Sequence, residues 1–233
     1  MSEHVRVEKE RGVLSLTFAR PERRNAITVA MYAALADAVE KAQTDPDLRV
    51  ITISGEGEEI AVWRLLRALA VNELPLIAAV HGNAIGIGTT MLLHCDLVLA
   101  EEGTRFLMPF VDLGLVPEAA SSLLLPRLAG RRRAARYLLL GEPFGPEEAA
   151  EFGLVSKVVA KGGLDAALSE TVAALLAKPT EALRQTQKLL RHGSREEILE
   201  RFELENGHFS ERLQSDEVKR VITAFFEQRS KNP

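Results

Sequence analysis

Glu118 is the acidic residue of this sequence that best suits proton transfer, because the residues around it are apolar. Over 116–120 its neighbours are a valine, a proline and two alanines. A carboxyl group that is shielded from water has a raised pKa, and a pKa near neutrality suits a general acid or base. The alternative is that Glu118 only complements the dipole of a helix that begins at Pro117. Asp112, earlier in the same segment, is a second candidate acid.

A glycine-rich turn is the second feature that could do chemistry. Gly82, Gly86 and Gly88 follow an apolar run at 76–80 that predicts a buried strand, and a helix is predicted to start after them. A strand, a glycine-rich turn and a helix N-terminus leave N–H groups pointing at one place, which can hold an anion or a developing oxyanion. The turn matches no standard phosphate-binding motif, and close packing of strand and helix is the alternative. For the threonines at 89–90, we expect helix capping.

Other kinds of catalytic or metal site are not indicated by the sequence. The five histidines are scattered and form no H-x-x-x-H pair or Cys/His cluster. There is no G-x-S-x-G nucleophile elbow. His81 and Cys95 are better explained as a hydrogen-bonded structural residue and a small core residue, and the basic triplet at 131–133 as a solvated helix face. We therefore expect no metal site.

The elements that would position these residues alternate between strand and helix. Strands are predicted at 5–8, 13–18, 49–54, 76–80, 97–100, 104–106 and 154–159, and helices at 29–43, 60–71, 117–125, 131–140 and 146–152. From Leu164 onward the pattern is helical, with breaks at 178–179, 192–193 and 214–215. Strands that alternate with helices predict an α/β protein with partly parallel sheets.

Composition narrows the class of protein. The chain has 233 residues with 46% hydrophobic content, which is enough for a sizeable core. A net charge of −4 gives no indication of nucleic-acid binding. A single cysteine excludes an internal disulfide and agrees with a reducing compartment. The charged N-terminus and the absence of a long apolar run predict a soluble, cytoplasmic protein without a membrane partner.

Several segments, taken together, resemble one protein family. Residues 74–88, followed by the Cys-Asp pair at 95–96, resemble the central signature of the enoyl-CoA hydratase/isomerase (crotonase) family. The frame P…LGL-P…LPRLAG over 106–130 is similar to the next part of the family, and so is the segment 141–155. The residues Arg-Pro and Asn-Ala within 20–26 are similar to the first loop of the family. The resemblance covers nearly the whole chain in consistent order.

The resemblance implies the fold, the assembly and the substrate class. It implies an α/β, crotonase-like core of ββα turns over 1–160 and a helical C-terminal region over 161–233 that is used in trimerisation. The expected assembly is a homotrimer or a dimer of trimers. The implied substrate is an acyl-CoA thioester, and no cofactor is expected because coenzyme A is part of the substrate.

The resemblance also implies roles for particular residues. In the family, two backbone N–H groups hold the thioester oxygen as it becomes an enolate, and alignment places one of these donors at Ile87. Glu118 is similar in position to the single glutamate that shuttles a proton between C2 and C4 in Δ3,Δ2-enoyl-CoA isomerases. The residues expected to bind the substrate are Gly86, Gly88, Phe110, Thr90 and Arg24.

Two departures from the family pattern bear on function. Family hydratases carry two glutamates that activate water, and Thr90 and Phe110 stand at those positions here. The connection at 54–59 is also shorter than in the family, which has an A-G-x-D loop there that carries the second oxyanion donor and lines the CoA pocket. Either the protein lacks this loop or the sequence omits a mobile one. The residues Gly-Glu-Gly at 55–57 resemble a shortened family loop and favour omission.

Three functions follow from these observations. The first is an enoyl-CoA isomerase that uses Glu118 and an oxyanion-stabilised enolate. The second is an enoyl-CoA hydratase of fatty-acid or related acyl-CoA degradation, which Thr90 and Phe110 disfavour. The third is a non-catalytic crotonase-fold protein that serves in binding or assembly, and the short connection at 54–59 is its main support.

Overall fold

The computed structural model describes residues 4–19, 29–55 and 63–231. Its strands, in chain order, are β1 (Val5–Glu10), β2 (Val13–Phe18), β3 (Val50–Gly55), β4 (Leu76–Val80), β5 (Asn83–Ile85), β6 (Leu97–Glu101), β7 (Arg105–Leu107) and β8 (Lys157–Val159). Within the described ranges, six strands form the main sheet in the order β1-β2-β3-β4-β6-β8, and β5 pairs with β7 in a second sheet.

Most neighbours in these sheets are parallel, as the alternating pattern predicts. Only β1 and β2 pair antiparallel among the described strands, in a hairpin whose register sets Val5 opposite Phe18. The pairs β2–β3, β3–β4, β4–β6, β6–β8 and β5–β7 are all parallel. Parallel strands need crossover connections, and helices supply most of them here.

The helices also follow the predicted order. They are α1 (Val29–Ala42), α2 (Trp63–Val71), α3 (Ile87–Thr90), α4 (Ser121–Ala129), α5 (Arg131–Leu139), α6 (Pro146–Glu151), α7 (Leu164–Leu176), α8 (Thr180–Arg191), α9 (Arg195–Gln214) and α10 (Asp216–Lys231). Short 3-10 helices occupy Met91–His94 and Val111–Leu113. The helical tail from Leu164 and its three breaks are confirmed.

The central strand β4 is buried on both faces, which explains its unbroken apolar sequence. Because successive side chains point to opposite faces of a strand, Leu76 and Ala78 belong to the main core. Ile77 and Ala79 belong to a second cluster on the other face, which α7 covers. Because both of its faces are packed, β4 holds the start of the glycine turn in a fixed position.

Helix α4 begins at Ser121, so the prediction of a helix from Pro117 is wrong. The φ angles of Ala119 and Ala120 are +62° and +53°, in the left-handed region that a right-handed helix cannot contain. The Ser121 N–H donates instead to the Glu118 carbonyl at 3.0 Å, which closes a tight turn. Glu118 therefore lies in a turn before the helix.

Strand β8 is shorter than the predicted strand at 154–159. The N–H groups of Leu154 and Val155 donate back to the Ala149 carbonyl at the end of α6, at 2.9 and 3.2 Å. These residues therefore close the helix and are unavailable for the sheet, so pairing with β6 begins only at Lys157.

The C-terminal helices contact the core at several points. Helix α7 packs on β3, β4 and β6, and α9 packs on α2 and α4. Helix α9 buries Ile198, Phe202 and Glu205. None of the helices in the described part of the chain has the length and apolar character that crossing a bilayer requires.

Candidate active site

The side chain of Glu118 is buried, with 6% of the residue exposed to solvent. Its carboxyl oxygen Oε1 accepts a hydrogen bond from the hydroxyl of Thr90, which is itself fully buried at the end of α3. The turn before α4 and the short helix α3, which follows the glycine turn, therefore meet at this contact. Asp112, the other candidate acid, is exposed. Glu118 is thus the acid that the fold places beside the glycine turn.

Burial changes the acidity of Glu118. Desolvation, which disfavours the charged form, raises the pKa of Glu118 to about 8 from its ordinary 4.5. The hydrogen bond from Thr90 opposes this rise, and the nearby negative charge of Glu205 adds to it. A carboxyl group with this pKa takes up and releases a proton near neutral pH, which is what a general acid or base requires.

His94 contacts the turn that carries Glu118. Its Nε2 lies 2.8 Å from the Ala119 carbonyl oxygen, and its ring stacks on Phe202 of α9 with centroids 5.5 Å apart. Burial lowers the pKa of His94 to about 4, so the ring is neutral near pH 7. Because a carbonyl only accepts, Nε2 must carry the proton. His94 is thus a structural residue of the site that sequence reasoning did not single out.

The glycine turn leads directly into α3. Gly86 has φ +58° and ψ −119°, a conformation that favours glycine, and its N–H donates to the Leu107 carbonyl at 2.7 Å. Its carbonyl accepts from the N–H groups of Thr89 and Thr90, both at 3.0 Å. Among the described residues, no main-chain oxygen accepts a hydrogen bond from the Ile87 N–H. That donor belongs to the same four-residue helix as Thr90, which contacts Glu118.

The two threonines do not cap α3, so that prediction is wrong. No side chain caps this helix. The Thr89 hydroxyl donates to the Ala84 carbonyl at 2.5 Å and accepts from the Leu107 N–H at 3.3 Å, which ties α3 to both strands of the small sheet. The Thr90 hydroxyl contacts the Glu118 carboxyl group and, at 3.4 Å, the Gly86 carbonyl oxygen.

The remaining predicted site residues lie in different parts of the chain. Gly88 lies in α3 and is buried beside Ile87. Phe110 is buried in the main core just before the 3-10 helix at Val111–Leu113. Arg24 lies outside the described residues, and so do residues 56–59 of the short connection at 54–59. The second oxyanion donor that the resemblance implies for that connection therefore stays a prediction.

Tyr32 and Glu205 are residues of this site that the sequence did not reveal. Tyr32 lies on α1, and its buried hydroxyl has no hydrogen-bond partner among the residues that the structure describes. Burial raises its pKa, and the negative charge of Glu118 adds to that effect. A buried hydroxyl without a partner costs stability, and such exceptions mark candidate functional positions. No local pattern connects Tyr32 with Glu118.

We expect Tyr32→Phe to raise the free energy of unfolding by about 1 kcal/mol, because it removes a buried hydroxyl that has no partner in the described part of the chain. Tyr137→Phe is the matched control, since the Tyr137 hydroxyl donates to Glu148 at 2.6 Å. That variant should lower stability by about 1 kcal/mol. Urea unfolding of both variants shows whether their changes in the free energy of unfolding have opposite signs. Equal destabilisation would mean that the Tyr32 hydroxyl has a partner in solution.

Within the described residues, no group of three His, Cys, Asp or Glu side chains is arranged to hold a metal ion. The described site brings together a carboxyl group suited to proton transfer, Glu118, and the helix that begins with the backbone N–H donor of Ile87.

Comparisons with known proteins agree on one family. A profile of the family described as Enoyl-CoA hydratase/isomerase matches residues 8–62 and 60–232. A probable enoyl-CoA hydratase of Rhodobacter capsulatus is 31% identical, over 98% of this chain and 97% of that protein. Enoyl-CoA delta isomerase 2 of Rattus norvegicus is 29% identical, over 99% of this chain and 65% of that protein.

A solved structure has the same fold. The crystal structure of an enoyl-CoA hydratase/isomerase from Pseudoalteromonas atlantica T6c superposes with a TM-score of 0.91 at 36% identity, over 97% of this chain and 98% of that chain. This confirms the predicted fold class, an α/β core followed by a helical C-terminal region.

Proposed function

This chain belongs to the enoyl-CoA hydratase/isomerase (crotonase) family, and from that membership we propose that it is a Δ3,Δ2-enoyl-CoA isomerase with Glu118 as the base. At the level of the family, it is an enzyme of the isomerase or lyase class that acts on an acyl-CoA thioester. The observation that carries the finer proposal is the buried carboxyl group of Glu118, which accepts a hydrogen bond from Thr90. The proposed setting is fatty-acid or related acyl-CoA degradation in the cytoplasm.

The proposed reaction moves one proton and conserves all atoms. The ionised Glu118 removes a proton from C2 of a 3-enoyl-CoA, and the electrons of that C–H bond pass to the thioester oxygen, which gives a dienolate. The protonated Glu118 then returns the proton to C4, and the electrons flow back to form the C2–C3 double bond. A base with a pKa near 8 can both accept and return this proton.

The backbone at Ile87 supports the dienolate step. The Ile87 N–H stands at the start of α3 without a main-chain acceptor among the described residues. A fixed N–H donor aimed at a developing oxyanion stabilises the transition state more than the ground state. We propose that this N–H binds the thioester oxygen, with Gly86 and Gly88 allowing the thioester to approach the backbone.

Hydration is the second candidate function, and the relative in Rhodobacter capsulatus that is named a probable enoyl-CoA hydratase favours it. Hydration needs groups that position and activate water. The positions at which family hydratases carry two glutamates hold Thr90 and Phe110, and both are buried here. A hydroxyl and an aromatic ring lack the basicity for that role, so isomerisation fits the residues better.

Product analysis tests the proposal. Wild-type protein is incubated with a trans-3-enoyl-CoA and, separately, with a trans-2-enoyl-CoA, and the products are separated and weighed by mass spectrometry. We expect the first substrate to give the 2-enoyl isomer at unchanged mass. A product that gains the mass of one water from the second substrate, with no isomerisation of the first, would support the hydratase instead. Turnover of neither substrate would support the non-catalytic alternative.

We also propose that residues 161–233 assemble the chain into a homotrimer or a dimer of trimers. Leu189 and Leu190, adjacent on α8, are 73% and 74% exposed, and exposed leucines of this kind are suited to an interface. Sedimentation velocity gives the assembly mass, and a monomer at micromolar concentration would contradict this proposal.

A further inference from the structure

Glu205 is a second buried glutamate beside the Glu118 turn. It lies on α9 in the C-terminal region, and 5% of the residue is exposed. Buried carboxylates are rare in proteins unless hydrogen bonds or charges compensate for the lost water. The partners of Glu205 therefore indicate what it does.

Both carboxyl oxygens of Glu205 bind backbone N–H groups at the start of α4. Oε2 accepts from the Ala120 N–H at 2.6 Å, and Oε1 accepts from the Ser122 N–H at 2.9 Å. The N-cap residue of α4, Ala120, has no side chain that could cap the helix. Glu205 thus supplies from another helix the capping carboxylate that this N-terminus lacks, where a negative charge is favourable.

The turn that Glu205 holds is strained. Ala119 and Ala120 both have left-handed φ angles, at a cost of about 1–2 kcal/mol for each residue that carries a Cβ. Such a conformation persists only where the surroundings enforce it. His94 fixes the Ala119 carbonyl on one side, and Glu205 fixes the Ala120 N–H on the other. Glu118 immediately precedes these two alanines, so the position of its side chain depends on both contacts.

Charge couples the same two glutamates. The negative charge of Glu205 raises the pKa of Glu118. Burial raises the pKa of Glu205, whereas its hydrogen bonds and the charge of Arg201 lower it. Arg201, on the same helix, also donates to the Ser122 hydroxyl at 3.2 Å. Among the described residues, the other polar groups that interact with Glu118 are the hydroxyls of Thr90 on α3 and Tyr32 on α1.

We propose that Glu205 is a positioning residue for the reaction: it clamps the turn that carries Glu118 and places a second carboxylate beside the base. Through Glu205, helix α9 of the C-terminal region forms part of the catalytic apparatus of the same chain. This inference rests on the proposed function, in which Glu118 is the base.

The test is Glu205→Gln, with Glu203→Gln as the matched control. Glu203 lies two residues away on α9, is 63% exposed and pairs with Arg67 at the surface. We expect Glu205→Gln to lower kcat by about 10- to 100-fold through misplacement of the base, with KM changed less than about threefold. The rising limb of kcat/KM against pH should move to lower pH, because loss of a nearby negative charge eases ionisation of Glu118. Glu203→Gln should match wild type.

Glu205→Asp is the second variant. It keeps the negative charge, but its shorter side chain cannot reach both N–H groups. We therefore expect kcat to fall while the rising limb of kcat/KM against pH stays in place. If Glu205→Gln does not fold, the test depends on Glu205→Asp alone. A wild-type kcat in that variant would then contradict the proposal that Glu205 clamps the turn. The proposal would also be contradicted if the lower kcat of Glu205→Gln were fully explained by a smaller amount of folded enzyme and the rising limb of kcat/KM against pH did not move.

A double variant separates this inference from the proposed function. If Glu205 acts through Glu118, adding Glu205→Gln to Glu118→Gln should cause no further loss of activity. Wild-type turnover in Glu118→Gln would defeat the proposed function and this inference with it. An inactive Glu118→Gln together with a fully active Glu205→Gln would defeat the Glu205 inference alone.

Discussion

Glu118→Gln is expected to lower kcat for the isomerisation of a trans-3-enoyl-CoA by at least about 100-fold, the usual range for removal of a general base. The amide keeps the shape of the side chain and can still accept a hydrogen bond from Thr90, but it cannot take up the proton from C2. Binding of the acyl-CoA should be preserved, so KM should change little. Steady-state kinetics with purified protein measures both constants.

The control for this variant is Asp112→Asn. Asp112 was the other candidate acid in the same segment, and its side chain is exposed. The Asn variant should therefore keep wild-type kcat. If Asp112→Asn is inactive and Glu118→Gln is not, the base has been assigned to the wrong carboxylate.

The same glutamate should make stability depend on pH. The folded-state pKa of Glu118, about 8, lies above its ordinary value of 4.5, so the folded protein binds this proton more tightly than the unfolded chain. Its contribution to stability is fully present below about pH 4.5 and is lost as the pH rises through 8. Glu118→Gln cannot ionise. The fall in unfolding free energy between pH 5 and pH 8, measured with urea, should therefore be smaller in the variant than in wild type.

Gly86→Ala is the second change with a large expected effect. The φ of +58° and ψ of −119° at Gly86 are essentially confined to glycine, although there is room for a methyl group. Alanine must therefore either accept a strain of about 1–3 kcal/mol or rotate the backbone. Rotation would turn the Ile87 N–H away from the proposed oxyanion position. Loss of one such donor should lower kcat by about 100-fold or more.

Two glycine controls separate strain from the loss of the donor. Gly103 has φ +81° in an exposed turn, with nothing within 4 Å of an added Cβ, so Gly103→Ala should cost similar stability without the loss of kcat. Gly88 lies two residues after Gly86, in α3, and a Cβ there would make only an ordinary contact with Ala84 at 3.8 Å. Gly88→Ala should be less harmful than Gly86→Ala. If all three variants have equal kcat, the Ile87 N–H has no role in the reaction.

Much of the fold was predictable because the signals are local. The apolar run at Leu76–Val80 predicted a buried strand, and it forms the centre of the sheet. The breaks in the helical tail were marked by residues that end helices, and the structure ends α7, α8 and α9 there. Hydrophobic periodicity and turn residues act over a few positions, so a single chain segment carries enough information.

The sequence also showed that Glu118 stands among apolar residues and predicted a glycine turn before a helix start. Their contact with each other depends on the tertiary structure. The Thr90 hydroxyl reaches Glu118 across 28 positions, and Glu205 reaches the Ala120 N–H across 85. The same long-range contacts accompany the left-handed turn that moves the start of α4 to Ser121. These contacts arise from the crossover topology of the parallel sheet and from the packing of α9 on the core, which no local pattern of residues specifies.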